Sequence, residues 1–133
     1  MGPTEAIAGF PGRDSGVNPA FRTAVMHADV FDYAPALGSA EEVSGAHARL
    51  DRYMDMIRAV TPGSGAYTNE ADVLEPDWQA SFWGGNYPRL LEIKKKWDPE
   101  GVFWAPATVG SEGWEVATTD GLASQNGRLC RVE

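Results

Sequence analysis

The segment from Tyr67 to Trp104 constrains the fold of this chain more than any other, because it concentrates the aromatic residues. Eight of the chain's fourteen aromatic residues lie within these 38 positions. They are Tyr67, Trp78, Phe82, Trp83, Tyr87, Trp97, Phe103 and Trp104. Large aromatic side chains dominate the area that a core buries, and the same side chains can line an apolar pocket. We therefore expect the core, and any binding site, to draw on this segment.

A long amphipathic helix precedes this segment. Ser39 and Glu42 have the Ser-x-x-Glu spacing of a capping box, in which each side chain binds the other residue's backbone amide. Apolar residues then recur in steps of three and four as far as Val60, which places them on one stripe. The run Thr61-Pro62-Gly63 predicts the end of this helix.

Two shorter helices are predicted inside the aromatic segment. The run Glu75-Pro76-Asp77 is typical of a helix start, and this helix should continue to Trp83. A glycine pair then breaks it, and Asn86 is placed to cap a third helix from Tyr87 to Trp97.

Three strands complete the predicted pattern. The first runs from Phe21 or Thr23 to Tyr33, where β-branched and aromatic residues alternate with other residues; the others are predicted at 66–71 and 102–109. The summed order of elements indicates an α+β domain with a small antiparallel sheet covered by helices on one face. We expect residues 1–19 to form an extended arm and residues 20–133 a single domain, with a loosely regular tail from about residue 110.

Composition and charge exclude several functions. The formal net charge of −8 makes nucleic acid and anionic membranes unfavourable partners, because phosphate binding needs clustered Lys and Arg. The single cysteine, Cys130, cannot form an internal disulfide or a zinc cluster. The sequence has no long apolar run and no signal-peptide pattern, so a cytoplasmic location is expected.

Glu70 is the first candidate for chemistry. In a strand Glu70 and Asp72 would point to the same face, and two close, desolvated carboxyl groups should have one pKa raised towards neutrality. Such a group can act as a general acid or base. The simpler alternative is that both are surface charges at a strand end. His27 and His47 lack the spacing of metal ligands, so we assign them structural roles and expect no metal site.

The runs YTNEAD and WQASFWGGNYPRLLEIKKKWDPEGVFW, together with NPAFR near the start, resemble one known family. They are similar to the C-terminal segment of the berberine-bridge-enzyme-like, FAD-linked oxidases of the vanillyl-alcohol-oxidase superfamily, especially the fungal members. The resemblance covers roughly residues 17 to 115. It implies that the fold is part of the substrate domain of that family.

The resemblance also implies roles for individual residues. Glu70 takes the position where many relatives have a catalytic tyrosine base, with Tyr67 beside it in the pocket. The substrate would contact Asp72, Trp83 and Tyr87. The residues that would lie near the flavin or shape the pocket are Asn69, Asn86 and Tyr87. The residues that match the helix-and-turn scaffold are Arg89, Leu90, Ile93, Lys94, Asp98, Pro99 and Phe103.

The family binds FAD mainly through a long N-terminal module that this chain does not contain, so we expect no cofactor for the isolated chain and FAD only if a partner module completes it. Three functions are compatible with a chain that does not contain this module. The first is a free-standing domain of specialised metabolism, a homodimer that isomerises or cyclises a hydrophobic small molecule without flavin, including by cycloaddition. The second is the C-terminal part of an FAD-dependent oxidase. The third is a non-catalytic ligand-binding protein.

Overall fold

The computed structural model describes residues 15–35, 38–122 and 127–132. The expectation for most of the N-terminal arm, residues 1–14, therefore lies outside the described residues. In chain order the elements are a 3-10 turn Pro19–Arg22, helix α1 Ala40–Val60, helix α2 Trp78–Trp83, a 3-10 turn Gly84–Asn86, helix α3 Tyr87–Trp97, a 3-10 turn Ser111–Gly113, strand β1 Trp114–Ala117 and strand β2 Arg128–Arg131.

Helix α1 begins with the predicted capping box. The Ser39 hydroxyl accepts a hydrogen bond from the Glu42 amide at 3.2 Å, and the Glu42 carboxylate accepts one from the Ser39 amide at 2.8 Å. These two bonds satisfy amide groups that the first helical turn leaves without partners. The helix ends at Val60, and the Thr61 amide closes its last turn on the Arg58 carbonyl. Both predicted ends of α1 are confirmed.

Helices α2 and α3 are also confirmed, but Asn86 does not cap α3. Its side-chain amide instead donates to the carbonyls of Ser15 and Val17 at 3.2 and 2.8 Å. The sequence motif predicted a local bond, and the structure uses the same amide to hold the chain that precedes the first 3-10 turn. Asn86 therefore joins two segments that are far apart in sequence.

Asn18 makes a second connection of this kind and is one of the buried polar residues. Its amide nitrogen donates to the Ser81 carbonyl at 2.7 Å, and its amide oxygen accepts from the Ala20 backbone at 3.0 Å. A Cβ on Gly65 or Gly84 would come within 3 Å of the Asn18 side chain, so both positions need glycine. The NPAFR motif thus anchors the start of the fold to α2.

The three predicted strands are wrong in position. Residues 26–35 are extended but pair with no strand, residues 66–71 form a turn closed by the Glu70 amide on the Tyr67 carbonyl, and residues 102–109 form turns.

Asp98 organises the region of residues 102–109, because its carboxylate accepts from Lys94 and from the amides of Val102 and Phe103. The Lys94 hydrogen bond, with help from these amides, lowers the pKa of Asp98. Strand-forming residues make a ladder only where a partner strand is available.

The sheet lies in the tail that was expected to be loosely regular. Strands β1 and β2 pair antiparallel in the register Trp114 with Arg131 and Ala117 with Arg128. The Arg131 guanidinium lies over the Trp114 ring at 4.8 Å from its centroid, a cation–π contact that favours this register. The α+β class with a small antiparallel sheet is confirmed, while the tail holds the strands that were expected elsewhere.

The core of the described residues is small. Its buried apolar side chains are Ala46, Phe82 and Ala107, and none of the large side chains described is fully buried. Val25, Phe31 and Tyr33 are 83%, 82% and 77% exposed. Within the same ranges, no helix is long and apolar enough to cross a lipid bilayer. A domain of this length ordinarily buries most of its large apolar side chains.

Candidate functional site

One cavity, the larger of the two described below, brings several of the predicted site residues together. It has a volume of about 500 Å³ and lies between α1, the extended segment 26–30 and the turn region 61–81. Tyr67, Glu70 and Asp72 all line it, and their predicted roles towards a substrate stay a prediction. Leu50, Met54 and Ile57 of α1 supply an apolar wall. The cavity can therefore hold a small apolar molecule beside ionisable groups.

Glu70 faces a histidine that the sequence analysis assigned to structure. His27 Nε2 lies 3.6 Å from Glu70 Oε2 and 3.2 Å from Asp29 Oδ1, and all three side chains are about half exposed. No spacing rule could have found this pair, because His27 and Glu70 are far apart in sequence and belong to segments without regular structure. The separation is an ion-pair distance and longer than a hydrogen bond, so a proton passes between the two groups only through a bridging water or after a small side-chain movement.

Tyr67 packs at the edge of the same group. Its ring makes edge-to-face contacts with His27 and Phe21, with centroid distances of 6.2 and 6.1 Å. The Tyr67 hydroxyl accepts a hydrogen bond of 2.7 Å from the Asn69 side-chain amide. Asn69, for which the resemblance implied a place near a flavin, therefore fixes the Tyr67 phenol.

The strand from which we predicted a close pairing of Glu70 with Asp72 is absent. Because residues 67–70 turn, the two carboxylates do not follow strand alternation, and Asp72 instead binds His47 on α1 with Asp72 Oδ2 3.0 Å from His47 Nδ1. Its other oxygen accepts from the Leu74 amide at 2.9 Å. Asp72 is thus committed to holding the turn against α1, and Glu70 is the carboxylate that keeps access to solvent.

One group of side chains within the described ranges could hold a metal ion. The ligand atoms of His27, Asp29 and Glu70 lie within 4.8 Å of one another, and all three residues are exposed. One imidazole and two carboxylates are a donor set that divalent transition metals accept. The same three groups are equally suited to proton transfer, which requires no ion.

Tyr87 lies at a different place, beside the smaller cavity. Its hydroxyl donates to the Glu112 carboxylate at 2.6 Å and accepts from the Gly110 amide at 3.2 Å, and its ring meets Trp78 edge-to-face at 5.6 Å. Burial and the Glu112 hydrogen bond raise the pKa of Tyr87 to about 12. Trp78 and Glu112 line this cavity of about 410 Å³. The structure therefore separates Tyr87 from Glu70, which the sequence analysis had placed in one pocket.

Trp83 lines neither cavity. Its indole nitrogen is buried and has no hydrogen-bond partner among the described residues. A buried indole N–H without a partner carries a desolvation cost. Its predicted contact with substrate stays a prediction.

This chain is similar in sequence to known proteins. Residues 66–110 match the family described as berberine and berberine like. The FAD-linked oxidoreductase ZEB1 of Gibberella zeae is 41% identical over 118 residues, which cover 86% of this chain and 19% of that protein. The bifunctional decalin synthase calF of Penicillium decumbens is 42% identical over 118 residues, with 87% and 19% covered.

The fold of this chain is also similar to part of a solved structure. The crystal structure of the VAO-type flavoprotein MtVAO713 from Myceliophthora thermophila C1 superposes with a TM-score of 0.72 at 26% identity, and the match covers 89% of this chain and 20% of that one. The chain thus spans about a fifth of the length of the curated relatives that it matches. Similarity at this level shows a shared fold over nearly the whole of the described chain.

The described residues do not fit a flavin cradle of their own. The three residues implied to lie near a flavin use their polar side-chain atoms internally: Asn69 on Tyr67, Asn86 on the backbone of Ser15 and Val17, and Tyr87 on Glu112. The family match and the superposition together identify this chain as a berberine-bridge-like segment of the VAO-type, FAD-linked oxidoreductase family.

Proposed function

We propose that this chain forms one wall of the substrate pocket of an FAD-linked oxidoreductase, whose flavin is held by a module outside the chain. The observation that carries the proposal is the contrast between a core of three buried apolar residues and large exposed apolar side chains such as Val25 and Phe31. Exposed surface of this kind is typical of an element that packs against another part of a protein.

Glu70 is the proposed catalytic residue. It lines the larger cavity, keeps solvent access and has His27 at 3.6 Å, so it can take a proton from a bound substrate and return it. Tyr67, held by Asn69, supplies an aromatic face that orients the substrate. A positioned general base contributes typically about 10²–10⁴-fold to a rate.

The apolar wall from α1 favours a hydrophobic substrate. Leu50, Met54 and Ile57 contribute it, and the Asp72 carboxylate is engaged by His47 at 3.0 Å, which leaves Glu70 as the carboxylate available to the ligand. An apolar wall with one accessible acid or base is the common arrangement of a small-molecule site.

A chimera tests this function. This chain would replace the matching fifth of MtVAO713, and the purified chimera would be examined for the visible absorbance of bound flavin and for turnover of a substrate of that flavoprotein. We expect the isolated chain to be colourless and the chimera to bind flavin. Glu70→Gln should lower turnover by about 10²–10⁴-fold with flavin absorbance unchanged.

Glu92→Gln is the matched control, because Glu92 is an exposed glutamate of α3 that lines neither cavity. Equal turnover of the Glu70→Gln and unsubstituted chimeras would remove Glu70 from the mechanism. A chimera that stays unfolded or colourless would overturn the proposed function as a whole.

A second candidate is a flavin-independent isomerase or cyclase formed by this chain alone. The relative whose name is bifunctional decalin synthase favours it, since a cyclisation needs acid or base and positioning but no electron transfer. Its test is double-bond migration in an unsaturated ketone, followed by ultraviolet absorbance with the flavin-free chain. Conversion that disappears in Glu70→Gln would support this candidate, while saturable binding without product would indicate a ligand-binding protein.

A further inference from the structure

The segment from Val25 to Tyr33 has the sequence of a β-strand, yet it has no partner strand within the described chain. Residues 26–33 contain no helix, turn or bend, and the peptide groups of residues 25–32 make no backbone hydrogen bond to any other described residue. Backbone N–H and C=O groups in folded proteins are nearly always paired or hydrated. Residues 25–32 are therefore eight consecutive strand-like residues whose edge is free within the described chain.

One side of this segment is already fixed to the fold. Arg49 of α1 binds the Asp32 carboxylate through two nitrogens, at 2.8 and 3.4 Å, and a third bond of 3.4 Å reaches the Tyr33 carbonyl. Val30 and Asp32 are half-buried, while Asp29, Phe31 and Tyr33 between and beside them are exposed. This alternation is that of a strand with one side against protein and the other side open.

The exposed side carries three large apolar or aromatic side chains, which are unfavourable in water, together with the polar His27 and Asp29. Phe31 and Tyr33 point to the same side in an extended chain, and Val25 shares their parity. Exposed strand edges with large apolar side chains pair readily with another strand. The Arg49 contacts fix the Asp32 and Tyr33 end of the segment before any partner arrives, which lowers the entropy cost of pairing there.

A second copy of this chain is a poor partner for the edge. Two copies would each carry a formal charge of −8, and like charges repel at the distances of an interface. The relatives, in contrast, contain about four fifths of their length outside the region matched here. That polypeptide is about four times as long as the matched region, so it offers more chain for pairing than this segment does.

We propose that residues 25–33 are an open β-strand that pairs with a strand of the FAD-linked oxidoreductase polypeptide outside this chain. The inference rests on the proposed function and adds where the two parts join. Because His27 and Asp29 lie on this strand and contact each other and Glu70, the pairing also places one side of the Glu70 cavity in register with the partner module.

Amide hydrogen exchange tests the pairing, with the isolated chain compared with the MtVAO713 chimera. We expect the amides of residues 25–32 to exchange without protection in the isolated chain and at least about tenfold more slowly in the chimera. Unprotected amides in a chimera whose α1 and α3 are protected and whose flavin is bound would overturn this inference alone. Protection in a self-associated isolated chain would identify a second copy as the partner and overturn it as well.

Two proline substitutions sharpen the test, because successive N–H groups of a strand point to opposite edges. Ala28→Pro removes a donor from one edge and Phe31→Pro from the other. Neither should change the melting of the isolated chain, since no peptide hydrogen bond is lost there. In the chimera, if at least one of these substitutions removes the exchange protection of the amides in residues 25–32, the pairing is supported. If those amides stay protected with both substitutions, the pairing is contradicted.

Discussion

At the residue scale, backbone geometry makes some positions intolerant of any side chain. Gly84 has φ +56°, and a Cβ there would lie 2.9 Å from Asn18 Oδ1 and 3.1 Å from Pro19 Cδ. A left-handed backbone with these neighbours combines conformational strain with a clash against a buried anchor. The adjacent Gly85 is different, because a Cβ there would meet nothing within 4 Å.

We predict that Gly84→Ala lowers the free energy of unfolding by more than about 1 kcal/mol. Gly85→Ala is its matched control and should change that free energy by less than about 1 kcal/mol, because it only reduces the freedom of the unfolded chain. Urea unfolding of the two variants measures the difference. Equal midpoints would show that Asn18 and Gly84 do not constrain each other.

Tyr87 links stability to alkaline pH. Its pKa rises from 10.0 to about 12 in the folded chain, first through burial and then through Glu112. A pKa raised on folding contributes stability that is complete below pH 10.0 and is lost as the pH rises through about 12. We expect Tyr87→Phe to remove this part of the pH dependence.

Tyr33→Phe is the control for Tyr87→Phe, because the Tyr33 ring is exposed and its hydroxyl makes no hydrogen bond to a described residue. The measurement is the free energy of unfolding below pH 10.0 and near pH 12, the two limits set by Tyr87. If the free energy of unfolding falls equally between these two pH values in the unsubstituted and Tyr87→Phe chains, Tyr87 is not the source of this pH dependence.

At the element scale, helix α1 organises one side of the larger cavity, and its start depends on two reciprocal hydrogen bonds. Ser39→Ala should lower the free energy of unfolding by about 0.5–2 kcal/mol, as loss of an N-cap does. Ser44→Ala, at an exposed position inside the same helix, should instead be neutral or slightly stabilising, since Ala is the better helix former. Circular dichroism during thermal unfolding compares the two variants.

The helices and the strands of this chain differ in what holds them. The helices carry their own hydrogen bonds, so α1 and α3 form at the places where caps and apolar spacing predict them. A strand depends on a second segment, and β1 finds β2 only eleven positions beyond its end. Residues 25–33 have stronger strand propensity than either but no partner within the described chain.

At the scale of the whole molecule, the small core sets the stability. Phe82 is 5% exposed and Phe31 is 82% exposed. Replacement by alanine should therefore lower the free energy of unfolding strongly at Phe82 and hardly at all at Phe31. Phe82→Ala should cost about 3–5 kcal/mol, which is a large part of the stability of an ordinary domain. Phe31→Ala should change the isolated chain by less than about 0.5 kcal/mol.

The test is chemical unfolding of both phenylalanine variants, first in the isolated chain and then in the MtVAO713 chimera. In the chimera Phe31→Ala should become destabilising, because the proposed pairing buries its ring. If Phe31→Ala already destabilises the isolated chain as much as Phe82→Ala does, the core extends over Phe31 and the surface is not open.

The sequence by itself determined the local features: the capping box of Ser39 and Glu42, the ends of α1, the extent of α3, the α+β class and the family segment. These follow from hydrogen bonds and spacings within a few residues, which sequence displays directly. Only the tertiary structure decided which distant groups meet. It placed His27 beside Glu70, His47 on Asp72 and Tyr87 on Glu112, and it moved the sheet to Trp114–Ala117 and Arg128–Arg131. Such pairings depend on how loops close and which surfaces a segment finds, and no spacing within one segment encodes them.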